Sequence, residues 1–247
     1  MIMNKADLLK KITTPIDSPA FPAAKVKFHN RDFMNITYRT DHDALMKVLP
    51  EPLEPIDDLV KFEFINMPDS DGLGDYAEIG QVIPVTFNGQ EGEFYLSMYV
   101  NNAEAIASGR EIAAFPKKLA DTSIYLDNDV LVGKLEYSGL PVATATMAYN
   151  YYPMDLEEAK AEITKPSYRL NIMRNYDATP RVLEMTESTI TDVEVKGAWN
   201  SPAKLQFFEH VMAPVADLPV REIVKSQHIV ADLTLPRPHM VYDYLAD

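Results

Sequence analysis

Several stretches of the chain alternate apolar and polar side chains, or concentrate β-branched and aromatic residues, which is typical of strands. The predicted strands are Val60–Ile65, Gln81–Phe87, Phe94–Val100, Ser123–Leu126, Val130–Tyr137, Val142–Tyr149, Arg169–Ile172, Thr186–Val195 and Ile229–Leu235. Helical periodicity is confined to short pieces. The predicted helices are Lys5–Ile12, Asp41–Val48, Glu104–Arg110, Asp155–Ile163, Leu205–Val211 and Val220–Ser226, and Thr40 and Asp41 are suitable caps for the second of these.

Many strands with few helices, and without strict strand–helix alternation, predict an α+β fold that is mainly antiparallel β. We expect a closed or cone-like β-barrel core with short peripheral helices. The chain contains no internal repeat and no Gly/Ser-rich linker, and its 18 prolines fall largely at the ends of segments. The sequence therefore predicts one domain over residues 1–247.

Composition narrows the class of protein. The chain is 47% hydrophobic and 24% charged, as is usual for a soluble globular protein, and no apolar run is long enough to span a membrane. The amino terminus mixes charges with apolar residues and lacks the continuous hydrophobic stretch of a secretory signal. There is no cysteine, which excludes disulfides and thiolate chemistry. We expect a cytoplasmic protein.

The net charge of −14 argues against a nucleic-acid partner, because phosphate binding depends on clustered lysine and arginine. The same charge would repel a small anionic substrate. Any site for an organic acid therefore needs a local positive focus.

Two common kinds of site have no support in the sequence. The five histidines form no pair at the spacing of metal ligands, so we predict no metal site. The Gly-x-Ser-x-Gly motif of many hydrolases is absent.

Two adjacent lysines, Lys117 and Lys118, follow Pro116 in an apolar setting. Such a pair is either a solvated turn or a site in which one amine is buried. Because the residue before a proline tends to be extended, and side chains alternate along an extended chain, we expect the two lysines to point to opposite faces.

Burial can turn a lysine into a nucleophile, because desolvation lowers a lysine pKa by as much as about 3 to 5 units from its ordinary value of about 10.4. A second ammonium about 10 Å away through a water-like medium contributes only about 0.4 kcal/mol. We therefore hypothesise that Lys117 faces an apolar cavity, that burial is its main activator and that Lys118 is secondary.

Three further charged residues are candidates, each with a structural alternative. Arg31 lies among aromatic and polar residues, where it would bind a carboxylate or form a structural ion pair. Glu78 is isolated in an uncharged stretch, and Glu63 interrupts an apolar strand. Either acid would suit proton transfer if its pKa were raised by burial, or would be an ordinary exposed or salt-bridged carboxylate.

These residues fall within a pattern that closely resembles the acetoacetate decarboxylase family. The matching segments are Ser18–Pro22, Phe28–Arg31, Tyr38–Asp41, Glu78–Gln81, Gly109–Glu111, Pro116–Leu119, Val142–Met147 and Leu218–Val220. The Pro-Lys-Lys segment, together with the spaced arginine and glutamate, is specific, whereas each feature alone is weak. Phe115 stands where a tyrosine is expected in relatives.

The resemblance implies that Lys117 is the Schiff-base lysine, that Lys118 is its cationic neighbour, and that Arg31, Glu63 and Glu78 line the site. It implies catalytic roles for Lys117, Lys118 and Glu78, and substrate binding by Arg31 and Glu63. It also implies a β-barrel or cone, a large homo-oligomer, a small β-keto acid as substrate, and chemistry that requires no metal or organic cofactor.

Two other functions are compatible with the same residues. One is a Schiff-base aldol condensation with dehydration of another keto acid, for which Lys117 would serve equally. The other is a non-catalytic barrel that binds small apolar ligands.

Overall fold

The computed structural model describes residues 2–23 and 25–246, so Met1, Ala24 and Asp247 of the predicted domain lie outside the described residues. The strands are β1 Val26–Arg39, β2 Glu54–Pro55, β3 Leu59–Met67, β4 Asp69–Ser70, β5 Tyr76–Phe87, β6 Gln90–Val100, β7 Lys117–Leu119, β8 Asp121–Asp127, β9 Val130–Tyr137, β10 Leu140–Ala148, β11 Tyr152–Pro153, β12 Ser167–Arg174, β13 Pro180–Ser188, β14 Thr191–Asn200, β15 Ala203–Phe207, β16 Glu222–Leu235 and β17 His239–Asp243. The α-helices are α1 Lys5–Leu8, α2 His42–Met46, α3 Ala103–Ala113 and α4 Leu156–Ile163, and one 3₁₀ turn spans Val215–Asp217.

The strands form two sheets, and the mainly antiparallel pairing is as predicted. A 13-stranded sheet runs in the order β11-β14-β16-β1-β3-β5-β6-β12-β13-β17, with β2, β4 and β7 attached to it, and a 4-stranded sheet runs β15-β10-β9-β8. Among the described strands, only β7 and β12 pair parallel, both with β6. Tight turns join neighbouring strands, as at Asn88-Gly89, where both φ angles are positive and suit a two-residue hairpin.

The predicted closed or cone-like barrel is wrong, because neither sheet closes among the described residues. The large sheet ends at β11 on one side, which pairs with β14, and at β17 on the other, which pairs with β13. Closure requires the first and last strands to pair, and alternation along each strand does not specify that pairing. The apolar core therefore lies between packed layers.

The two faces of the large sheet differ in character. One face packs against the small sheet and is apolar, with Phe62 and Phe64 of β3 against Leu135 and Val142. The close approach of Phe64 depends on Gly133, since a Cβ there would lie 2.4 Å from the Phe64 ring.

The opposite face combines a second apolar cluster with buried polar groups, among them Arg31, Glu63, Glu78 and Lys117. We call this the polar face. Because side chains alternate along a strand, every strand of the central sheet supplies residues to both faces.

The helix predictions were partly right. Asp155 caps α4 by accepting hydrogen bonds from the backbone amides of Glu157 and Glu158, whereas Asp41 precedes α2 without such a bond and instead binds Arg221. The predicted helices Leu205–Val211 and Val220–Ser226 are wrong. The first overlaps β15, and the second overlaps the start of β16.

The largest errors in the strand predictions concern the large sheet. β1 was not predicted as a strand, and Thr186–Val195 joins parts of two strands, β13 and β14, into one. None of the described helices combines the length and the apolar character needed to cross a membrane.

Candidate active site

Lys117 opens the short strand β7, directly after helix α3. The helix ends at Ala113, the following residue Ala114 adopts a left-handed conformation with φ of 56°, and Pro116 prevents continuation of the helix. Lys117 then pairs with Met98 of β6, and Arg110 donates a hydrogen bond to the Lys117 carbonyl at 3.2 Å. This turn directs the Lys117 side chain onto the polar face, where only 6% of the residue is exposed.

The Lys117 amine lies against one carboxylate and two aromatic rings. Its Nζ is 2.9 Å from Oε2 of Glu78, and lies 5.3 Å and 5.7 Å from the ring centroids of Phe115 and Tyr76. Gly109 of α3 leaves space for the side chain, since a Cβ there would lie 2.7 Å from Cδ and 3.2 Å from Nζ of Lys117. The amine is therefore tightly enclosed on the helix side.

Glu78 joins Lys117 to Arg31. Its Oε1 accepts a hydrogen bond from Nη2 of Arg31 at 3.2 Å, while its Oε2 faces Lys117. The guanidinium lies over the rings of Phe28 and Phe33, at 5.1 Å and 4.7 Å from their centroids. Three of the predicted site residues thus form one buried row with a carboxylate at its centre.

Glu63 lies on the same face but belongs to a different cluster. Lys61 contacts Oε1 of Glu63 at 2.8 Å and Oε1 of Glu93 at 2.5 Å, and all three residues are buried. Burial lowers the pKa of Lys61, but the two carboxylates outweigh it and raise that pKa well above its usual value. Glu63 therefore already has a cationic partner, separate from Lys117.

Sequence reasoning missed Lys61 and Glu93. Lys61 precedes Glu63 by two residues on a strand, so alternation alone was a signal that the two side chains share a face. Glu93 carried no such signal, because it approaches Lys61 only through the pairing of β3, β5 and β6.

Lys118 contacts a different part of the molecule. Its Nζ donates to the Met212 carbonyl and lies 4.8 Å from the ring centroid of Tyr137, which belongs to the apolar side of the sheet. The extended backbone of β7 therefore separates the two adjacent ammonium groups.

A small cavity of about 50 Å³ reaches Lys117. Its walls are mainly apolar and include Phe28, Tyr76 and Phe115, while Lys25 and Arg237 supply positive charge at its edge. A larger, open groove lies between β15 and the start of β16 and contains none of the predicted site residues. Within residues 2–23 and 25–246, no group of three His, Asp or Glu side chains is arranged to hold a metal ion.

The arrangement suits covalent amine chemistry on a small acid. A buried amine beside a carboxylate can exchange a proton within the pair, and the adjacent arginine supplies the local positive focus that an acidic protein needs for an anionic substrate. The burial of the Tyr76 hydroxyl near Glu78 raises the Tyr76 pKa well above its usual value, so this phenol remains a neutral wall of the site.

Comparison with known proteins agrees with the resemblance found in the sequence. Residues 13–245 match the family model for acetoacetate decarboxylase. Acetoacetate decarboxylases of Clostridium botulinum and Clostridium acetobutylicum are 53% and 54% identical, with 98% of this chain and 99% and 100% of those proteins covered. A solved structure of an acetoacetate decarboxylase matches with a TM-score of 0.97 and 53% identity, covering 99% of this chain and 100% of that one.

A family model that spans nearly the whole chain, together with full-length relatives above 50% identity, confirms the predicted family. This chain belongs to the acetoacetate decarboxylase family.

Proposed function

We propose that this protein decarboxylates acetoacetate to acetone and carbon dioxide through a Schiff base on Lys117. The observation that carries the proposal is the enclosed Lys117 amine, 2.9 Å from the Glu78 carboxylate, at the end of a cavity with apolar walls. The substrate assignment is supported by relatives that carry this name and are more than 50% identical over nearly their whole length.

The first step needs a neutral amine. The proton passes from the Lys117 ammonium to Glu78, whose Oε2 lies 2.9 Å from Nζ. The amine then attacks the ketone carbon of acetoacetate. Loss of one water molecule gives a protonated imine β to the carboxylate.

The imine provides the electron sink. As the bond to the carboxyl carbon breaks, its electron pair moves into the iminium and forms an enamine, while carbon dioxide leaves. Protonation of the enamine at the carbon that carried the carboxylate, followed by hydrolysis with one water molecule, releases acetone and restores Lys117. No step requires a metal or an organic cofactor.

Arg31 is proposed to attract the substrate carboxylate. Its Nε has no hydrogen-bond partner among the described residues, although the group is buried. A tight pair with the carboxylate in the ground state would oppose decarboxylation, because the charge leaves that group in the transition state. We therefore assign Arg31 to recruitment rather than to firm retention.

Glu78 is proposed to relay protons and to disfavour the carboxylate anion that must leave. Glu63 is proposed to have a supporting role, because its carboxylate already forms an ion pair with the Lys61 ammonium. Lys118 is secondary, because it faces the other side of the sheet.

The experiment that tests the proposal combines trapping with product analysis. The protein is incubated with acetoacetate and reduced with borohydride, and the modified residue is located by peptide mass. We expect a covalent adduct on Lys117, none in Lys117→Met, and an undiminished adduct in Lys118→Asn as the matched control. Absence of an adduct on Lys117 would favour a binding protein over an enzyme.

Release of carbon dioxide separates the two Schiff-base reactions. A decarboxylase releases carbon dioxide from acetoacetate in proportion to acetone. An aldol condensation with dehydration would form the same adduct on Lys117 without carbon dioxide, so trapping without gas release would contradict the proposal.

We also propose a cytoplasmic homo-oligomer. Large apolar side chains of the amino-terminal segment are exposed, among them Ile2, Leu9, Ile12 and Ile16, and α1 buries none of its own residues. An exposed apolar segment of this kind supports association with a second copy. Sedimentation analysis of the full chain measures the number of subunits.

A further inference from the structure

Arg169 is a buried cation that lies outside the site described above. It lies on β12 with 0% of its surface exposed, and Nη2 donates a hydrogen bond to Oγ of Ser188 at 2.8 Å. Its Nε and Nη1 have no hydrogen-bond partner in the described part of the chain, and no described carboxylate forms an ion pair with it. Burial of a charge without compensation is costly, so the position calls for an explanation.

Phe115 connects this cation with Lys117. The Arg169 Cζ lies 4.4 Å from the centroid of the Phe115 ring, and the Lys117 Nζ lies 5.3 Å from the same centroid. Both distances are measured to the Phe115 centroid. The Arg169 Cζ and the Lys117 Nζ are therefore at most about 10 Å apart, which is the sum of the two distances. Arg169, Phe115 and Lys117 are all buried, so the charge is screened less than it would be at the surface.

The other buried cations near the site each contact a carboxylate. Arg31 and Lys117 share Glu78, and Lys61 contacts both Glu63 and Glu93. Among the buried cations of residues 2–23 and 25–246, Arg169 is therefore the one that has no carboxylate within ion-pair distance, although Glu187 acts on it from farther away.

The titratable groups that face Arg169 do not remove its charge. Burial lowers the pKa of Arg169 to about 10, opposed by Tyr95 and Glu187, so the guanidinium stays protonated near neutral pH. Burial also raises the pKa of Tyr95, with Glu63 and Glu93 adding to the effect, so this neighbour stays neutral. Tyr76, the titratable neighbour of Lys117 besides Glu78, is neutral for the same reason.

We propose that Arg169 is a positioning residue for the Schiff-base reaction, which acts on the Lys117 amine through the Phe115 ring. Its positive charge disfavours a second positive charge on Lys117 and so increases the fraction of neutral amine, while its planar face holds the ring against the Lys117 side chain. The sequence suggests this role for Lys118, because that residue is adjacent to Lys117. The Lys118 side chain, however, lies on the opposite face of the sheet from Lys117. The inference deepens the proposed function and rests on it.

The test measures the protonation of Lys117 without using turnover. The folded protein is treated briefly with formaldehyde and cyanoborohydride over a range of pH, and the methylation of Lys117 is measured by peptide mass relative to the exposed Lys10. We compare wild type with Arg169→Met and Arg169→Gln, which both remove the charge. Ser188→Ala is the matched control, because it removes the hydrogen-bond acceptor of Arg169 and keeps the charge.

We expect the pH midpoint for Lys117 to move upward by about one unit in both charge-deleting variants, as two charges about 10 Å apart interact at an effective dielectric of about 20. The midpoint in Ser188→Ala should stay within about 0.3 units of wild type. The acidic limb of the kcat/KM profile should move with the labelling midpoint in the same variants.

Two results would overturn the inference. One is an unchanged midpoint in a charge-deleting variant whose thermal unfolding is close to that of wild type. The other is a shift in Ser188→Ala as large as that in Arg169→Met, which would make local structure rather than charge the cause. Because labelling does not depend on acetoacetate, failure of the proposed function would appear separately, as the absence of a substrate adduct on Lys117.

Discussion

Replacement of Gly109 by alanine should separate the position of the Lys117 amine from the stability of the fold. An added Cβ would lie 2.7 Å from Cδ and 2.9 Å from Cε of Lys117. Carbon atoms in ordinary contact are about 3.5 to 4.0 Å apart, so the lysine side chain must retreat by about 1 Å. That movement disturbs the 2.9 Å contact of Nζ with Glu78.

Two opposite effects of Gly109→Ala on the free energy of unfolding largely cancel. Alanine in the interior of a helix is more favourable than glycine by about 0.5 to 1 kcal/mol, and a lysine forced from its rotamer costs about 0.5 to 1.5 kcal/mol. We therefore expect Gly109→Ala to unfold within about 1 kcal/mol of wild type. Activity should fall much further, because a displacement of about 1 Å at a reacting group can cost about 100-fold, or about 2.7 kcal/mol of transition-state stabilisation.

The assay compares three quantities: kcat/KM from carbon dioxide release, the yield of borohydride-trapped adduct on Lys117, and the free energy of unfolding. Ala107→Gly, on the same helix, is the opposite control, since it should lower the free energy of unfolding by about 1 kcal/mol and leave kcat/KM nearly unchanged. Native kcat/KM in Gly109→Ala would show that the enclosure of Lys117 by α3 does not position the amine, and would refute the reasoning.

Three further predictions concern other charged groups of the protein. Glu78→Gln should lower kcat by at least about 100-fold, and adduct formation that persists in this variant would place its role after the attack, whereas unchanged turnover would remove Glu78 from the mechanism. Lys118→Asn should change kcat/KM by less than about 3-fold, because Lys118 binds the carbonyl of Met212 on the other face; loss of most activity at neutral pH would contradict this. Burial raises the pKa of the Glu93 carboxyl, and the nearby Lys61 ammonium opposes this rise. The folded protein therefore binds the Glu93 proton more tightly than the unfolded chain does. The stability that this difference contributes is lost as pH rises from about 4.3, the ordinary pKa of glutamate, through the pKa of the folded protein. The free energy of unfolding of Glu93→Gln, relative to wild type, should therefore increase between pH 4 and pH 8, and a constant difference in urea unfolding would contradict the sign.

The sequence predicted best those strands whose local pattern agrees with their surroundings. Val130–Tyr137 was predicted with the bounds that the structure shows. β1 was missed because its side chains on the polar face include Arg31 and Asn35, which break the apolar alternation although both are buried. A strand with buried polar residues lacks the period-2 signal on which the prediction depends.

Helices were predicted wrongly where apolar spacing was compatible with two structures. Leu205 and Phe208 lie three residues apart, which suits a helix, but the backbone of β15 pairs with β10 and extends this segment. Pairing between distant strands decided the conformation, and no local propensity contained that information.

For the site, the sequence by itself determined the family and the direction of the two lysines. Motifs spread over the chain identified Lys117, Arg31 and Glu78 as the residues to consider, and the alternation of an extended segment separates Lys117 from Lys118. These properties depend on residue identity and on neighbouring dihedral angles, which a sequence specifies locally.

Only the tertiary structure decided which charges meet. Glu78 is shared between Lys117 and Arg31, Glu63 is paired with Lys61, and Arg169 lies beside Phe115 without an ion pair to any described residue. The open sheet in place of the expected barrel has the same origin. Contacts between strands far apart in sequence depend on register and on the pairing of edges, and no single segment of the chain carries that information.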